Sequence, residues 1–166
     1  MSEKKYVFRN FEDAPTYTVD GCAGGDGRIQ ITTILGDEAM QPVPEGMRQL
    51  DDSETFDYIH LTTLPVGTTI GEHPHEGNEQ FYLIVEGTGE VTLCGDVYPV
   101  KPWSVAMIKS GASHGIRNTG DIPLKYICCE AQLSLRSAQK YLQEKVDEFE
   151  AKKKEMLGLE GDTFKS

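Results

Sequence analysis

From Arg28 onward, apolar and polar residues alternate in short runs broken by turn residues. Arg28 to Leu35 (RIQITTIL) and Thr55 to Leu64 (TFDYIHLTTL) alternate and are rich in β-branched side chains, which predicts two strands. Further short strands are predicted over Gln80–Glu86, Gly89–Cys94, Asp96–Val100, Ser104–Ile108, His114–Asn118 and Leu124–Gln132. Glu86-Gly87, Gly95-Asp96, Pro102, Ser110-Gly111 and Thr119-Gly120-Asp121 punctuate them. Many short strands at even spacing predict an all-β sandwich or barrel. Residues 1–27 read as an irregular N-terminal arm whose Phe8, Phe11, Tyr17 and Val19 pack on the barrel. The Gly24-Gly25-Asp26-Gly27 cluster in it marks a turn, because neither a lysine nor a helical pattern follows to make it a phosphate loop. Gly36 to Ser53, with Pro42 and Pro44, is a long connection: a lid over a ligand or a disordered segment.

The period changes at Ser134. Leu135, Ala138, Leu142, Val146, Phe149 and Met156 recur at helical spacing, with Glu144 to Glu150 and Lys152 to Lys154 on the polar side. Ser134 and Gly158 are the expected caps. The apolar stripe covers its own domain or meets a second chain. The expected organisation is an arm over 1–27, a barrel over 28–133, a C-terminal α-helix over 134–158 and a flexible tail over 159–166.

Composition narrows the function classes. A formal charge of −11 repels phosphate backbones, so no nucleic-acid partner is expected. No run of apolar residues is long enough for a membrane span, and the N-terminal stretch lacks the apolar core of a secretion signal; the expected location is cytoplasmic. In that compartment Cys22, Cys94, Cys128 and Cys129 are free thiols rather than disulfide partners.

The candidate chemistry lies between Gly67 and Gly87, GTTIGEHPHEGNEQFYLIVEG. Alternate residues of a strand face one way, so His73 and His75 on a strand aim two imidazoles at one point. That is half of a metal site. His114, at the start of a predicted strand after a glycine turn, is placed to join them. The competing reading is three unrelated surface or core histidines.

In these stretches the chain resembles the cupin superfamily of small β-barrels. The family's first motif is a Gly, five residues, H-x-H, three or four residues, a Glu, six residues and a Gly; Gly67, His73, His75 and Gly87 match it. Its second motif is a Gly, five residues, P-x-G, two residues, a His, three residues and an Asn; Gly111, His114 and Asn118 match it. Thr88 to Pro102 is as short a spacer as the family allows. The resemblance spans about 55–132 and implies a double-stranded β-helix, or jelly-roll barrel, holding a divalent transition metal. Trp103 and Lys109 replace the second motif's first Gly and its Pro, which changes turns rather than ligands. The family's Glu falls at Gln80 when counted back from Gly87, and at Glu79 when counted forward from His75. Strand parity groups Gln80 with Tyr82 and Ile84, and Glu79 with the more apolar Phe81, Leu83 and Val85, a set suited to an interface. Gln80 is therefore the expected fourth ligand beside His73, His75 and His114, with Glu79 its competitor.

Three neutral imidazoles and an amide leave the metal's charge uncancelled, which favours polarising chemistry over oxidation. Such a set suits Fe, Mn, Ni, Zn or Cu. Tyr82, His60 and Glu79 are candidate proton carriers. Tyr58 and the Arg28, Gln30, Thr32 face are further polar groups that a substrate could meet. Arg117 is expected on the surface and Asn118 in a structural role. The family hosts isomerases, dioxygenases, decarboxylases, lyases and binders alike. The leading expectation is Lewis-acid isomerase, epimerase or lyase chemistry on a small polar substrate such as a sugar or keto-acid. The alternatives are a dioxygenase or decarboxylase of a small acid, and a non-catalytic small-molecule binder. A homodimer formed by sheet contact is expected, with no membrane partner.

Overall fold

Alternation along the strands sorts the side chains into an inward and an outward set. The computed structural model describes residues 7–36, 55–133 and 135–156. In chain order the strands are β1 (Thr16–Asp20), β2 (Arg28–Gly36), β3 (Phe56–Leu64), β4 (Thr69–His73), β5 (Asn78–Glu86), β6 (Gly89–Leu93), β7 (Asp96–Val100), β8 (Val105–Ile108), β9 (His114–Asn118) and β10 (Leu124–Gln132), followed by helix α1 (Leu135–Met156). One sheet has the order β1-β2-β3-β10-β5-β8 and the other β4-β9-β6-β7. Every pairing is antiparallel. Neighbours in the sheets that are distant in sequence, such as β3 with β10 and β4 with β9, make this the double-stranded β-helix that the strand pattern and the motif resemblance imply.

The core lies between the sheets. Ile29, Ile31, Leu64, Ile84, Leu124 and Tyr126 face inward from the larger sheet, and Ile70, Val91, Val100 and Ile116 from the smaller. Burial at every second position of β3, β5 and β10 is the period-two signature of half-buried strands.

The arm departs from expectation. Thr16–Asp20 is a strand paired with Arg28–Thr32, and Gly21 N–H donates to Gly27 O where the glycine-rich turn closes the hairpin. Tyr17 and Val19 pack against the core as anticipated, whereas Phe8 and Phe11 are exposed. The alternating Thr-Tyr-Thr-Val was signal enough for a strand, but it is short and ends at the glycine cluster. The Arg28, Gln30, Thr32 face also turns out differently: Ile29 and Ile31 take the buried positions, and Arg28 pairs with Asp20 at 2.8 Å on the surface. The long connection after Gly36, the expected caps Ser134 and Gly158, and the tail lie outside the described residues.

Two turn positions explain the motif's residues physically. Gly87 has φ +79°, and a Cβ there would stand 2.6 Å from Pro123 O, so glycine is required both for conformation and for space. At Trp103 the backbone keeps the left-handed conformation, φ 73°, that the family's glycine would favour, with the indole 77% exposed. A bulky residue thus stands in a conformation that glycine favours.

The chain divides into a barrel unit ending at Gln132 and a helical unit beginning at Leu133. In the helical unit, Leu142, Val146 and Phe149 of the predicted stripe are exposed. No described helix is long and apolar enough to cross a membrane.

Candidate metal centre

The site is built from strand ends on both sheets. His73 closes β4 and His114 opens β9, and the antiparallel register sets them directly opposite each other. His75 is not on the strand, as H-x-H alternation suggests, but in the loop between β4 and β5. That loop is tied down from across the barrel: Gly111 N–H donates to His75 O at 2.7 Å, and Gly77 N–H to Ser110 Oγ at 2.9 Å. The turn before His114 therefore also positions His75. The ring centroids of His73 lie 4.9 Å from His75 and 4.5 Å from His114, and one ligand atom from each of the three falls within 4.8 Å of the others.

The ring nitrogens are sorted by their partners. His73 Nδ1 lies 2.8 Å from Gly71 O and His114 Nδ1 3.3 Å from Ala112 O; a carbonyl can only accept, so both rings carry the proton on Nδ1 and present Nε2 as a lone pair. His114 Nε2 is buried without a hydrogen-bond partner. Burial pushes His114 down to about 4, a carbonyl contact partly opposing and the other two histidines adding to it. Burial and then His73 also lower His75. The lowered values favour at His75 and His114 the neutral form that a metal requires. An orphaned imidazole nitrogen within a three-histidine cluster fits a divalent transition metal, with no preference among Fe, Mn, Ni, Zn and Cu in the donor set.

Behind the histidines, register stacks inward side chains in rows across β3, β10 and β5. Tyr58, Glu130 and Gln80 form one row; His60, Cys128 and Tyr82 the next; Thr62, Tyr126 and Ile84 the third. Polarity falls from row to row, ending at Leu64 and Leu124. The first row is closely bonded: Gln80 Nε2 donates to Glu130 Oε2 at 2.7 Å and to Tyr58 OH at 2.8 Å, and Tyr58 OH donates to Glu130 at 3.1 Å. Gln80 Nε2 lies 3.0 Å from His75 Nε2, and His75 Nδ1 lies 3.3 Å from Glu130 Oε2. Gln80 Oε1 is buried with no partner. Burial raises Glu130 above the usual carboxylate range, while its hydrogen bonds from Gln80 and Tyr58 pull the other way.

A cavity of about 40 Å³ opens among these groups, lined by His73 and His75, by Gln80 and Tyr58 of the first row and by His60, Tyr82 and Cys128 of the next. Cys22, from the arm, also reaches it. His60 stacks on Tyr58 with centroids 4.1 Å apart, is 2% exposed, and has a buried Nε2 without a partner. Burial alone lowers it to about 3, so it is a neutral imidazole. The Tyr82 ring meets His114 edge-on at 5.8 Å, and burial pushes its phenol well up, keeping the proton on the oxygen.

His73, His75 and His114 form one cluster, and His73, His75, Gln80, Tyr82 and His60 line the cavity beside it. Glu79 stands apart: it faces the other side of β5, with Phe81 and Leu83, and does not join the histidine cluster. Arg117 is exposed. Asn118 is 1% exposed, and its Nδ2 donates to Leu64 O and Ile122 O, a bracing role. Glu130 was missed. Its signal was parity: Leu124, Tyr126, Cys128 and Glu130 share one face of β10, and a carboxylate ending an otherwise buried series needs partners.

Comparison with known proteins agrees with this geometry. Residues 60–130 match the family described as "Cupin domain". The chain is 31% identical over 121 residues to the "Oxalate-binding protein" of Thermotoga maritima, covering 73% of this chain and 89% of that one. Among solved structures, that of a predicted oxalate decarboxylase from Thermotoga maritima superposes with a TM-score of 0.65 at 26% identity, covering 76% of this chain and all of the other. The cupin domain of Schizosaccharomyces pombe Cnp3 shares the fold, with a TM-score of 0.53 at 17% identity, over 68% of this chain and 70% of that one. Strand topology, the motif histidines brought to one point and these likenesses together place the chain in the cupin family.

Proposed function

We propose that this protein is a metal-dependent cupin that binds a small acid with paired oxygens, of about oxalate size, at a centre formed by His73, His75, Gln80 and His114. The observation that carries this reading is the combination of orphaned donors with a small cavity. His114 Nε2 and Gln80 Oε1 are buried and unpartnered, and unsatisfied buried polar atoms are costly unless something binds them. The cavity of about 40 Å³ has room for roughly three water molecules. That is the scale of a two- or three-carbon acid and not of a sugar ring, so the small-acid reading gains over the sugar reading. A divalent metal in the centre supplies the positive charge that grips adjacent oxygens and stabilises an anion formed on them. The chain's own part is recognition from the cavity wall. Neutral His60 can donate Nε2–H to an oxygen of the ligand, and Tyr82 closes the space beside His114 with its proton in place. The likeness to an oxalate-binding protein supports the same ligand class.

A test is calorimetric titration of oxalate into Mn(II)-loaded protein and into protein stripped with chelator. One saturable site in the loaded protein alone is expected, and His60→Phe should weaken it about tenfold without loss of metal. Equal binding to stripped protein, or none to the loaded form, contradicts the reading.

A further inference from the structure

The motif that the chain resembles has a glutamate where Gln80 stands, and the structure holds a buried carboxylate one strand away. Glu130 is 6% exposed and sits across from Gln80 in the β5–β10 register, with Tyr58 on its other side. Its Oε2 accepts from Gln80 Nε2 at 2.7 Å and from Tyr58 OH at 3.1 Å, and lies 3.3 Å from His75 Nδ1. A carboxylate accepting these bonds selects the NH₂ end of the amide and repels its oxygen. Gln80 Oε1 is consequently turned away from the row, and it is the buried oxygen without a partner.

We propose that Glu130 is the positioning residue of the metal centre. It fixes the Gln80 amide so that Oε1 is free to ligate, steadies His75 through Nδ1, and supplies from β10 the negative charge that a glutamate at position 80 would bring directly. The inference rests on the His73, His75, Gln80, His114 reading. It alters one consequence of that reading: the metal's charge is not left uncancelled but is balanced one hydrogen bond behind the ligand. It also accounts for an amide at position 80. Two carboxylates at the Gln80–Glu130 distance would repel unless they shared a proton.

The experiment is Co(II) binding to the full chain, followed by calorimetry and by the visible absorption of the bound ion, in wild type, Glu130→Gln, Gln80→Ala and the exchanged double variant Gln80→Glu/Glu130→Gln. Glu130→Gln keeps the shape and removes the charge; it should weaken Co(II) binding roughly 10- to 100-fold, as loss of a partner behind a ligand does. The double variant restores one carboxylate and one amide and should bind within about threefold of wild type, with an altered absorption spectrum, because a carboxylate oxygen has replaced an amide oxygen on the metal. A merely structural Glu130 would show neither the loss nor the rescue. Unchanged binding in Glu130→Gln, or a double variant no better than that single one, overturns the proposal. If Glu130→Gln does not fold, the double variant alone decides, by the same threefold criterion. Wild-type affinity and spectrum in Gln80→Ala would instead remove Gln80 from the ligand set, and the inference would fall with it.

Discussion

Acid should destabilise the metal-free protein through a histidine that does not belong to the metal centre. His60 is 2% exposed, and burial holds its pKa at about 3 against an ordinary 6.5. In the unfolded chain the ring takes up a proton as the pH falls through 6.5. In the folded protein it does so only near 3. Between these values the unfolded state binds more protons, so stability falls as the pH falls, by about 1.4 kcal/mol per unit once the unfolded ring is mostly charged. From pH 7 to pH 5 the loss attributable to His60 is about 2 kcal/mol, a sizeable part of the 5–15 kcal/mol typical of a domain. His114, held at about 4 by burial, works in the same direction, and Glu130, raised by burial, in the opposite one. Both are present in wild type and in His60→Phe, a variant that keeps a ring against Tyr58. The assay is urea denaturation in chelator, followed by circular dichroism at pH 7, 6 and 5. His60→Phe should lose about 2 kcal/mol less than wild type over that interval, whatever its stability at pH 7. Parallel pH dependences would refute a neutral, buried His60 and remove the basis for its place in ligand recognition.

Three further outcomes are expected. Purified wild-type protein should carry close to one transition metal per chain, His75→Ala should lose it, and Gln80→Ala should weaken retention more than Glu79→Ala; the reverse ranking, measured by elemental analysis after dialysis, would move the ligand to Glu79. Light scattering should show a dimer, because the outer face of the larger sheet carries half-buried Phe81, Leu83 and Val85 beside Val105 and Met107, which are 59% and 58% exposed; Leu83→Glu should yield monomers, and a monomeric wild type would remove that interface. Gly87→Ala should cost more than about 2 kcal/mol in denaturation midpoints, combining a left-handed backbone with a clash against Pro123 O; a loss under about 0.5 kcal/mol would mean that the turn relaxes.

How much of this was legible in the sequence follows from which forces are local. Strand alternation and turn residues are local, so the strands from Arg28 to Gln132 other than Thr69–His73, and their approximate ends, could be read directly. Thr16–Asp20 alternates, but the run is short and ends at a glycine cluster, so it read as part of an irregular arm. His73 and His114 were found from motif spacing, but the route by which His75 joins them was not: it leaves the strand and is held by the backbone of Gly111, a tertiary contact with no local trace. The facing of Gln80 and Glu79 followed from parity alone. Glu130 could not be paired with Gln80 from sequence, since their adjacency depends on the β5–β10 register across about fifty intervening residues. Trp103 shows the limit of motif reading: a bulky residue stands in the left-handed conformation that glycine favours.

The account's central claim is the ligand set, and it is tested most directly by the crystal structure of Mn(II)-loaded protein, with the anomalous signal locating the metal. The account predicts one peak per chain bounded by Nε2 of His73 and His114, a ring nitrogen of His75 and Oε1 of Gln80, with Glu130 still bonded to Gln80 Nε2. A peak held by Glu79, or no peak at the three histidines in protein soaked with excess metal, would contradict it.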